Sequence, residues 1–105
     1  MNQAMCLSSD LLGVGTATVV NRKSQLSGIT AITDNVNTAT VTVYDNASTG
    51  TGKVLAKLTA TVTTGANSLA FVTPIRADLG ITVVVAGTGT PQAIIYFDAY
   101  LCKIG

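Results

Sequence analysis

Hydrophobic and polar residues alternate along much of this chain with a period of two. Between Thr38 and Tyr44, the residues Ala39, Val41 and Val43 fall on one face, while threonines and Tyr44 fall on the other. Successive side chains of a β-strand point to opposite faces of the sheet, and Val and Thr are both common in strands. The pattern therefore predicts an antiparallel strand with one buried face.

The same period recurs from Lys53 to Val62 and predicts a second strand of this kind. Leu55 falls on the outward face of that strand, where an apolar side chain indicates a contact surface. A helix over Lys53 to Ala60 is the alternative, because Leu, Ala and Lys favour helices, but the threonines after Leu58 argue against it. The residues predicted to point inward are Val54, Ala56, Leu58, Ala60 and Val62.

Five further strands are predicted, with Gly-, Asn- and Asp-rich turns between them. Runs spaced by roughly 8–12 residues with such turns are typical of a sandwich or jelly roll. We therefore predict an all-β protein, a single antiparallel β-sandwich that is jelly-roll-like, with about seven to eight strands. The run from Gly80 to Ala86 is almost continuously apolar, which predicts a central strand covered on both faces. The five runs are Val14–Asn21, Leu26–Thr33, Ser68–Val72, Gly80–Ala86 and Gln92–Tyr100.

The beginning of the chain does not fit this period. Ser8-Ser9-Asp10 interrupts an otherwise apolar segment and breaks both the strand and the helical pattern. We expect residues 1–12 to form an N-terminal arm and residues 13–105 to form the β-sandwich domain. The arm has two interpretations: it adds to the sheet edge of a neighbouring subunit, or it pairs within its own chain beside the C-terminal tail.

Composition then narrows the function. The chain has 105 residues, of which 48% are hydrophobic and 10% are charged, with a formal net charge of +1. It contains no His, Glu or Trp, so the usual base near neutral pH and the commonest metal ligand are missing. Nucleic-acid binders need a clustered positive surface, and the charges here form no cluster. We expect a non-enzymatic protein without a cofactor, a metal site or a nucleic-acid partner.

A glycine-rich loop, two Asp-Asn pairs and Tyr44 are the candidates for ligand binding. Gly50-Thr51-Gly52-Lys53 lacks the preceding Gly and the following Ser or Thr of a phosphate loop, so a turn is expected there. Asp34-Asn35 and Asp45-Asn46 offer oxygen ligands of the kind calcium takes, although turns are the main expectation because no dense acidic loop surrounds them. Tyr44 faces outward and is a candidate contact for a sugar ring or a partner protein.

The cysteines and the N-terminus bear on where the protein works. Cys6 and Cys102 lie near opposite ends of the chain. The termini of small domains often lie close together, so these cysteines are either bridged or remain two reduced, buried thiols. The N-terminus has no basic region or apolar stretch of signal-peptide length, and no run approaches the ~20 apolar residues of a membrane span. We expect a protein that is made without export by the general secretory route and has no membrane partner.

The order of strands and turns resembles the small Thr/Gly/Ala/Val-rich β-sandwich virion proteins of tailed bacteriophages, which include capsid decoration (cement) proteins. The resemblance covers Val14 to Tyr100. It rests above all on VYDNASTGTGKVL, from Val43 to Leu55, and on GITVVVAGTGTPQAIIYF, from Gly80 to Phe97. These are patterns of turn and strand, so the resemblance transfers no catalytic residue.

The resemblance implies a structural protein that acts as an oligomer, commonly a trimer. We therefore expect a capsid decoration protein that binds the lattice of major capsid protein as a homotrimer, at the capsid surface of a virion assembled in the host cytoplasm. The alternatives are a carbohydrate-binding or adhesion module of a tail or head fibre, and a tail or head-completion subunit. The residues expected at interfaces are Met5, Leu7, Leu11, Tyr44 and Leu55.

Overall fold

Eight strands form two four-stranded antiparallel sheets in the computed structural model, which describes residues 7–34, 36–62 and 65–99. The order in the first sheet is β1-β8-β3-β6, and the order in the second is β2-β7-β4-β5. No helix occurs within these ranges. The strands are β1 (Leu7–Ser8), β2 (Gly15–Val20), β3 (Ser24–Ile32), β4 (Ala39–Asp45), β5 (Lys53–Ala60), β6 (Ala66–Ala77), β7 (Ile81–Ala86) and β8 (Gln92–Ala99).

The strand order is that of a jelly roll. β1 pairs with β8, β2 with β7, β3 with β6 and β4 with β5, all antiparallel. These four pairs arise when one long hairpin, with strands β1 to β4 in one arm and β5 to β8 in the other, is rolled up across its width. The further pairs β3–β8 and β4–β7 complete the two sheets. The predicted fold class is therefore confirmed.

The core lies between the two sheets and is built from the inward residues of the central strands. β4 alternates between buried and half-buried positions along its whole length, as its sequence predicts. β7 lies between β2 and β4, and its first three residues are buried, which agrees with the central position predicted for it. The largest core side chains are Leu26, Ile29 and Ile95 from the first sheet, and Val41, Val43, Ile81, Val83 and Val85 from the second.

β6 is longer than its sequence pattern predicts. The predicted run ended at Val72, whereas the strand continues through Pro74 to Ala77. Its pairing with β3 shifts between Leu26 and Gly28, so residues 71–74 lie opposite a single residue of β3. Proline lacks a backbone N–H and is tolerated at such an irregularity on an edge strand. The apolar alternation is lost across this bulge, which explains the early predicted end.

The outward position predicted for Leu55 is wrong. Leu55 is half-buried and packs against the hydrophobic core, whereas Val54 is 50% exposed. The cause is a β-bulge: Val43 pairs with Ala56, and Tyr44 pairs with Val54, so Leu55 is an extra residue without a partner in β4. One extra residue reverses the alternation on one side of the bulge.

The structure describes the predicted N-terminal arm only from Leu7 onward. Leu7 and Ser8 pair with β8 of the same chain. The Ser9 amide donates to the Ile95 carbonyl oxygen at 2.8 Å, and Leu12 forms an isolated bridge with Ala93. Residues 7–12 therefore cover the outer edge of β8, as the intramolecular interpretation has it. Met5, Cys6 and Cys102 lie outside the described residues, and so does the question of a disulfide.

One corner of the sandwich is fixed by Asp45, the last residue of β4. Its carboxylate is buried, at 7% exposure, and accepts hydrogen bonds from the backbone amides of Asp78 (3.1 Å), Leu79 (2.8 Å) and Gly80 (3.4 Å). These amides belong to the turn by which the chain crosses from β6 in the first sheet to β7 in the second. A buried amide without an acceptor is costly. The carboxylate of Asp45 supplies acceptors for these amides, which have no strand partner at the crossing.

Gly80 allows this crossing. Its φ is +153°, and a Cβ on it would collide with the carbonyl oxygen of Val20. We predict that Gly80→Ala destabilises the protein by about 1–3 kcal/mol, because the turn must move away from β2 or adopt a strained backbone. The measurement is the free energy of unfolding by chemical denaturation.

The matched control is Gly13→Ala, since a Cβ on Gly13 meets nothing within 4 Å. We expect that variant to stay close to the parent protein. Equal stability of the two variants would contradict the role given to Gly80.

Candidate interaction surfaces

The outer face of the second sheet is covered with threonine. Thr16 and Thr18 of β2, together with Thr40 and Thr42 of β4, alternate with core residues and therefore share this face. The Thr18 hydroxyl lies 3.3 Å from the hydroxyl of Thr82 in β7. Such a face offers methyl groups and hydroxyls to a partner and requires almost no charge to be desolvated.

The loop from Asn46 to Gly52 folds back over part of this face. Asn46 organises it: the side-chain oxygen accepts from the amides of Ser48 and Thr49, both at 2.9 Å, and the side-chain nitrogen donates to the Thr51 carbonyl oxygen at 3.1 Å. Gly50 lies against the side chain of Val84. The polar atoms of Asn46 thus fold the loop, in agreement with the predicted turn.

Tyr44 lies on the same outer face and is half-buried. It pairs with Thr82 on one side and with Val54 on the other. Its outward orientation is as predicted, and its neighbours are a hydroxyl and an exposed apolar side chain. Tyr44 therefore contributes an aromatic element to a surface made mostly of threonine and valine, on which Lys57 lies opposite Thr42.

The outer face of the first sheet carries an aromatic site that the sequence analysis missed. The ring of Tyr96 lies against Gly28 of β3, where an added Cβ would come within 3.4 Å of the ring. The Thr30 hydroxyl donates to the Tyr96 hydroxyl at 3.2 Å and lies 3.0 Å from the hydroxyl of Ser68. With Ala70, these residues border a shallow depression. The available signal was a glycine inside a strand pattern, which marks close approach of another group.

Exposed apolar side chains gather on the side of the sandwich where β1 and β2 lie. Leu7, Leu11 and Val14 are 42%, 52% and 55% exposed. An open groove runs beside them, between the first sheet and β2, and is lined by residues that include Val19 and Phe97. The groove, with exposed apolar side chains along the segment that leads into β2, makes this side a candidate interaction surface. We call this side of the molecule, which carries Leu7, Leu11 and Val14 and the groove at Val19 and Phe97, the β1–β2 side.

The residues predicted at interfaces are therefore not all in one place. Leu7 and Leu11 are exposed in the segment that precedes β2, while Tyr44 lies on the outer face of the second sheet. Leu55 packs on the core, and Met5 lies outside the described residues. Val14, at the end of the same segment, is exposed as well.

At one end of the sandwich, Asp34 ties two connections together. Its carboxylate accepts from the amides of Val36 (2.9 Å) and Asn37 (2.8 Å) in the β3–β4 connection. It also accepts from the amide of Thr90 (3.1 Å) in the β7–β8 connection, and the Asn37 side chain donates to it at 3.2 Å. The backbone hydrogen bond from Val36, followed by those from Asn37 and Thr90, lowers the pKa of Asp34 well below its ordinary value.

Comparisons with protein-family profiles, with curated proteins and with solved structures give no match to this chain. Among the described residues, no helix has the length and apolar character needed to cross a membrane. Within the same ranges, no group of three or more His, Cys, Asp or Glu side chains is placed to hold a metal ion.

Asp34 predicts a dependence of stability on pH. Its pKa is lowered in the folded protein, so the ionised carboxylate stabilises the fold above the ordinary pKa of 3.8, and this stabilisation is lost as the pH falls towards the folded-state pKa. We therefore expect Asp34→Ala to lower the melting temperature at pH 7 and to differ less from the parent protein below the ordinary pKa.

The control is Asp10→Ala, because Asp10 is exposed and its side chain forms no hydrogen bond with another of the described residues. Thermal unfolding followed by circular dichroism between neutral and acidic pH measures both variants. If the melting temperature of Asp34→Ala differs from that of the parent protein by the same amount at every pH, the role given to the Asp34 carboxylate is contradicted.

Proposed function

We propose that this protein is a structural component of a bacteriophage virion, a capsid decoration protein that binds the lattice of major capsid protein as a homotrimer. The observation that carries the proposal is the set of exposed apolar side chains in the segment that leads into β2, namely Leu7, Leu11 and Val14. The double-sheet jelly roll recurs in viral capsid domains, which supports the proposal at the level of the fold.

The other surfaces suit a protein that works in an assembly. The net charge of +1 gives copies little mutual repulsion, so they can pack closely on a repeating lattice. The threonine-covered face of the second sheet can contact a neighbour without desolvating buried charges. The core lies between two packed sheets, and a compact sandwich of this kind favours slow unfolding. Slow unfolding suits a virion protein, because the particle must persist outside the cell.

The direct test is the composition and the map of the purified particle. Mass spectrometry would detect the chain, and cryo-electron microscopy would show a trimer at the local three-fold positions of the shell. A location in the tail, or at the portal, would instead support the alternative of a tail or head-completion subunit. Absence from the shell would overturn the decoration proposal.

A pair of leucine variants tests the apolar surface itself. Leu11 is 52% exposed on the β1–β2 side, and Leu79 is 58% exposed in the β6–β7 turn. We expect Leu11→Asn to weaken trimer formation by roughly ten- to a hundredfold, since an interface that buries a leucine gains roughly 1.5–3 kcal/mol from it.

Leu79→Asn is the matched control and should leave the trimer intact. Light scattering over a dilution series measures the trimer, and thermal unfolding checks that both variants fold. An equal effect of the two substitutions would contradict the assignment of the interface.

A second candidate function, a carbohydrate-binding module of a fibre, is supported by Tyr96. An aromatic ring lying along a sheet surface can stack on the apolar face of a sugar, and the Thr30 and Ser68 hydroxyls beside it can bond to sugar hydroxyls.

A glycan array would test this candidate, with Tyr96→Ala compared with Tyr44→Ala on the opposite sheet. Loss of binding only in the Tyr96 variant would support a sugar site on the first sheet. No binding by the parent protein would exclude it.

A further inference from the structure

The sandwich protects most of its sheet edges against pairing with another strand. In the described part of the chain, the edges are β1, β6, β2 and β5. β1 has only two residues, β5 exposes Lys53 and Lys57, and β6 contains Pro74 in an irregular stretch and carries Arg76 near its end. Short length, charge, proline and bulges are the means by which natural edge strands avoid unplanned pairing.

β2 lacks this protection. Its six residues read Gly-Thr-Ala-Thr-Val-Val, without charge or proline, and β7 is its only partner strand in the described ranges. From Gly15 to Thr18 the pairing with β7 is regular, and the register shifts only between Thr18 and Val20. Alternate N–H and C=O groups of this stretch therefore point away from β7, at an open sheet edge.

An open groove continues from this edge towards the first sheet. Its volume is about 510 Å³, and its lining includes Leu7, Val19, Arg22 and Phe97. A strand added to β2 would place alternate side chains over the groove, because successive side chains of a strand point to opposite faces. The same strand would cover part of the apolar surface on the β1–β2 side.

We propose that the free edge of β2 accepts a strand from a second copy of this chain, and that this strand is residues 1–6 of that copy. The segment Met1–Cys6 has no charged side chain and combines polar residues, Asn2 and Gln3, with the apolar Ala4, Met5 and Cys6. The groove is mixed in the same way, because Leu7, Val19 and Phe97 line it together with Thr18, Asn21 and Arg22. Six extended residues span roughly 20 Å, which matches a strand of the length of β2. The inference rests on the proposed function only because that function requires copies to assemble.

The position of Leu7 explains why the segment comes from another copy. Leu7 lies beside Asn21 and Arg22, at the end of β2, and the chain runs from there to Leu12 before it returns along β2. To reach its own β2, the segment before Leu7 would have to reverse direction at once. The residues directly before Leu7, Ala4-Met5-Cys6, include none of the Gly, Pro, Asn, Asp and Ser residues that favour tight turns. A neighbouring copy needs no such reversal, and head-to-tail exchange of this kind forms a ring when the rotation between copies closes.

Disulfide trapping tests the pairing. In a Cys102→Ser background, Cys6 is the only natural thiol that remains. A second cysteine is placed on β2 by Thr16→Cys, Ala17→Cys or Thr18→Cys, which together sample both faces of the strand. A disulfide needs Cα atoms within roughly 4.4–6.8 Å, so only an adjacent segment will bridge.

We expect mild oxidation of the full chain to give covalent dimers and larger species on a non-reducing gel for at least one β2 variant. Peptide mass spectrometry should find Cys6 joined to the introduced cysteine. The control is Thr59→Cys, which is exposed on the opposite edge strand, β5, and should yield at least fivefold less product. Bridges within one chain, equal trapping on β5, or no trapping on β2 would each overturn the inference.

Deletion of residues 2–6 is the second measurement. We expect the molar mass from light scattering to fall to that of the monomer, while the melting temperature stays within a few degrees of the parent protein. An unchanged oligomer, or a full chain that is already monomeric at every concentration, would overturn the inference. If the deletion leaves the oligomer unchanged but the protein is found on the capsid, the strand exchange is wrong and the proposed function stands. If the disulfide forms but the protein is absent from the particle, the strand exchange stands and the proposed function is wrong.

Discussion

The structure depends on how β7 is held between two carboxylates. The buried Asp45 accepts from the amides of residues 78–80, directly before β7 begins. Asp34 accepts from the Thr90 amide, shortly after β7 ends. β7 is the strand on which β2 and β4 pair, so the two carboxylates fix the position of the whole second sheet relative to the connections from the first. Backbone amides at such crossings have no strand partner, and a carboxylate is a strong acceptor for them.

The small number of charged residues also determines the chemistry of the surfaces. Of the few acidic residues, Asp34 and Asp45 bond to backbone amides, and Asp78 pairs with Arg76 at 2.8 Å. The exposed faces carry mainly Thr, Ser, Ala and isolated aromatic or aliphatic side chains, together with separate charges such as Lys53 and Lys57. A surface of this type gives little electrostatic steering, so recognition has to come from shape, methyl groups and backbone edges. The β1–β2 side differs from the other surfaces because it combines exposed apolar side chains with an unprotected strand edge.

The sequence predicted strands best where the pairing is regular. β4 alternates without interruption, and its predicted inward and outward residues agree with the structure from Ala39 to Tyr44. β5 has the same kind of sequence, but the bulge at Leu55 reverses its alternation, and nothing within the strand marks that position. β6 is a similar case, because residues 71–74 loop out opposite one residue of β3. A bulge is a property of two strands together, so the pattern of one strand cannot reveal it.

The sequence by itself determined that this is an all-β protein with a Val- and Ile-rich core and threonine outside, since period-two alternation of β-branched residues has few other solutions. It also determined the turns, because Asp, Asn and Gly fold the backbone locally. Only the tertiary structure decided which strands become neighbours. β1 pairs with β8, although almost the whole chain separates them in sequence, because this pairing helps to close the core. The tertiary structure alone brought Tyr96 onto Gly28 and placed Leu7 opposite Phe97, in the groove beside β2. These contacts join residues that are far apart in sequence, and local patterns carry no information about them.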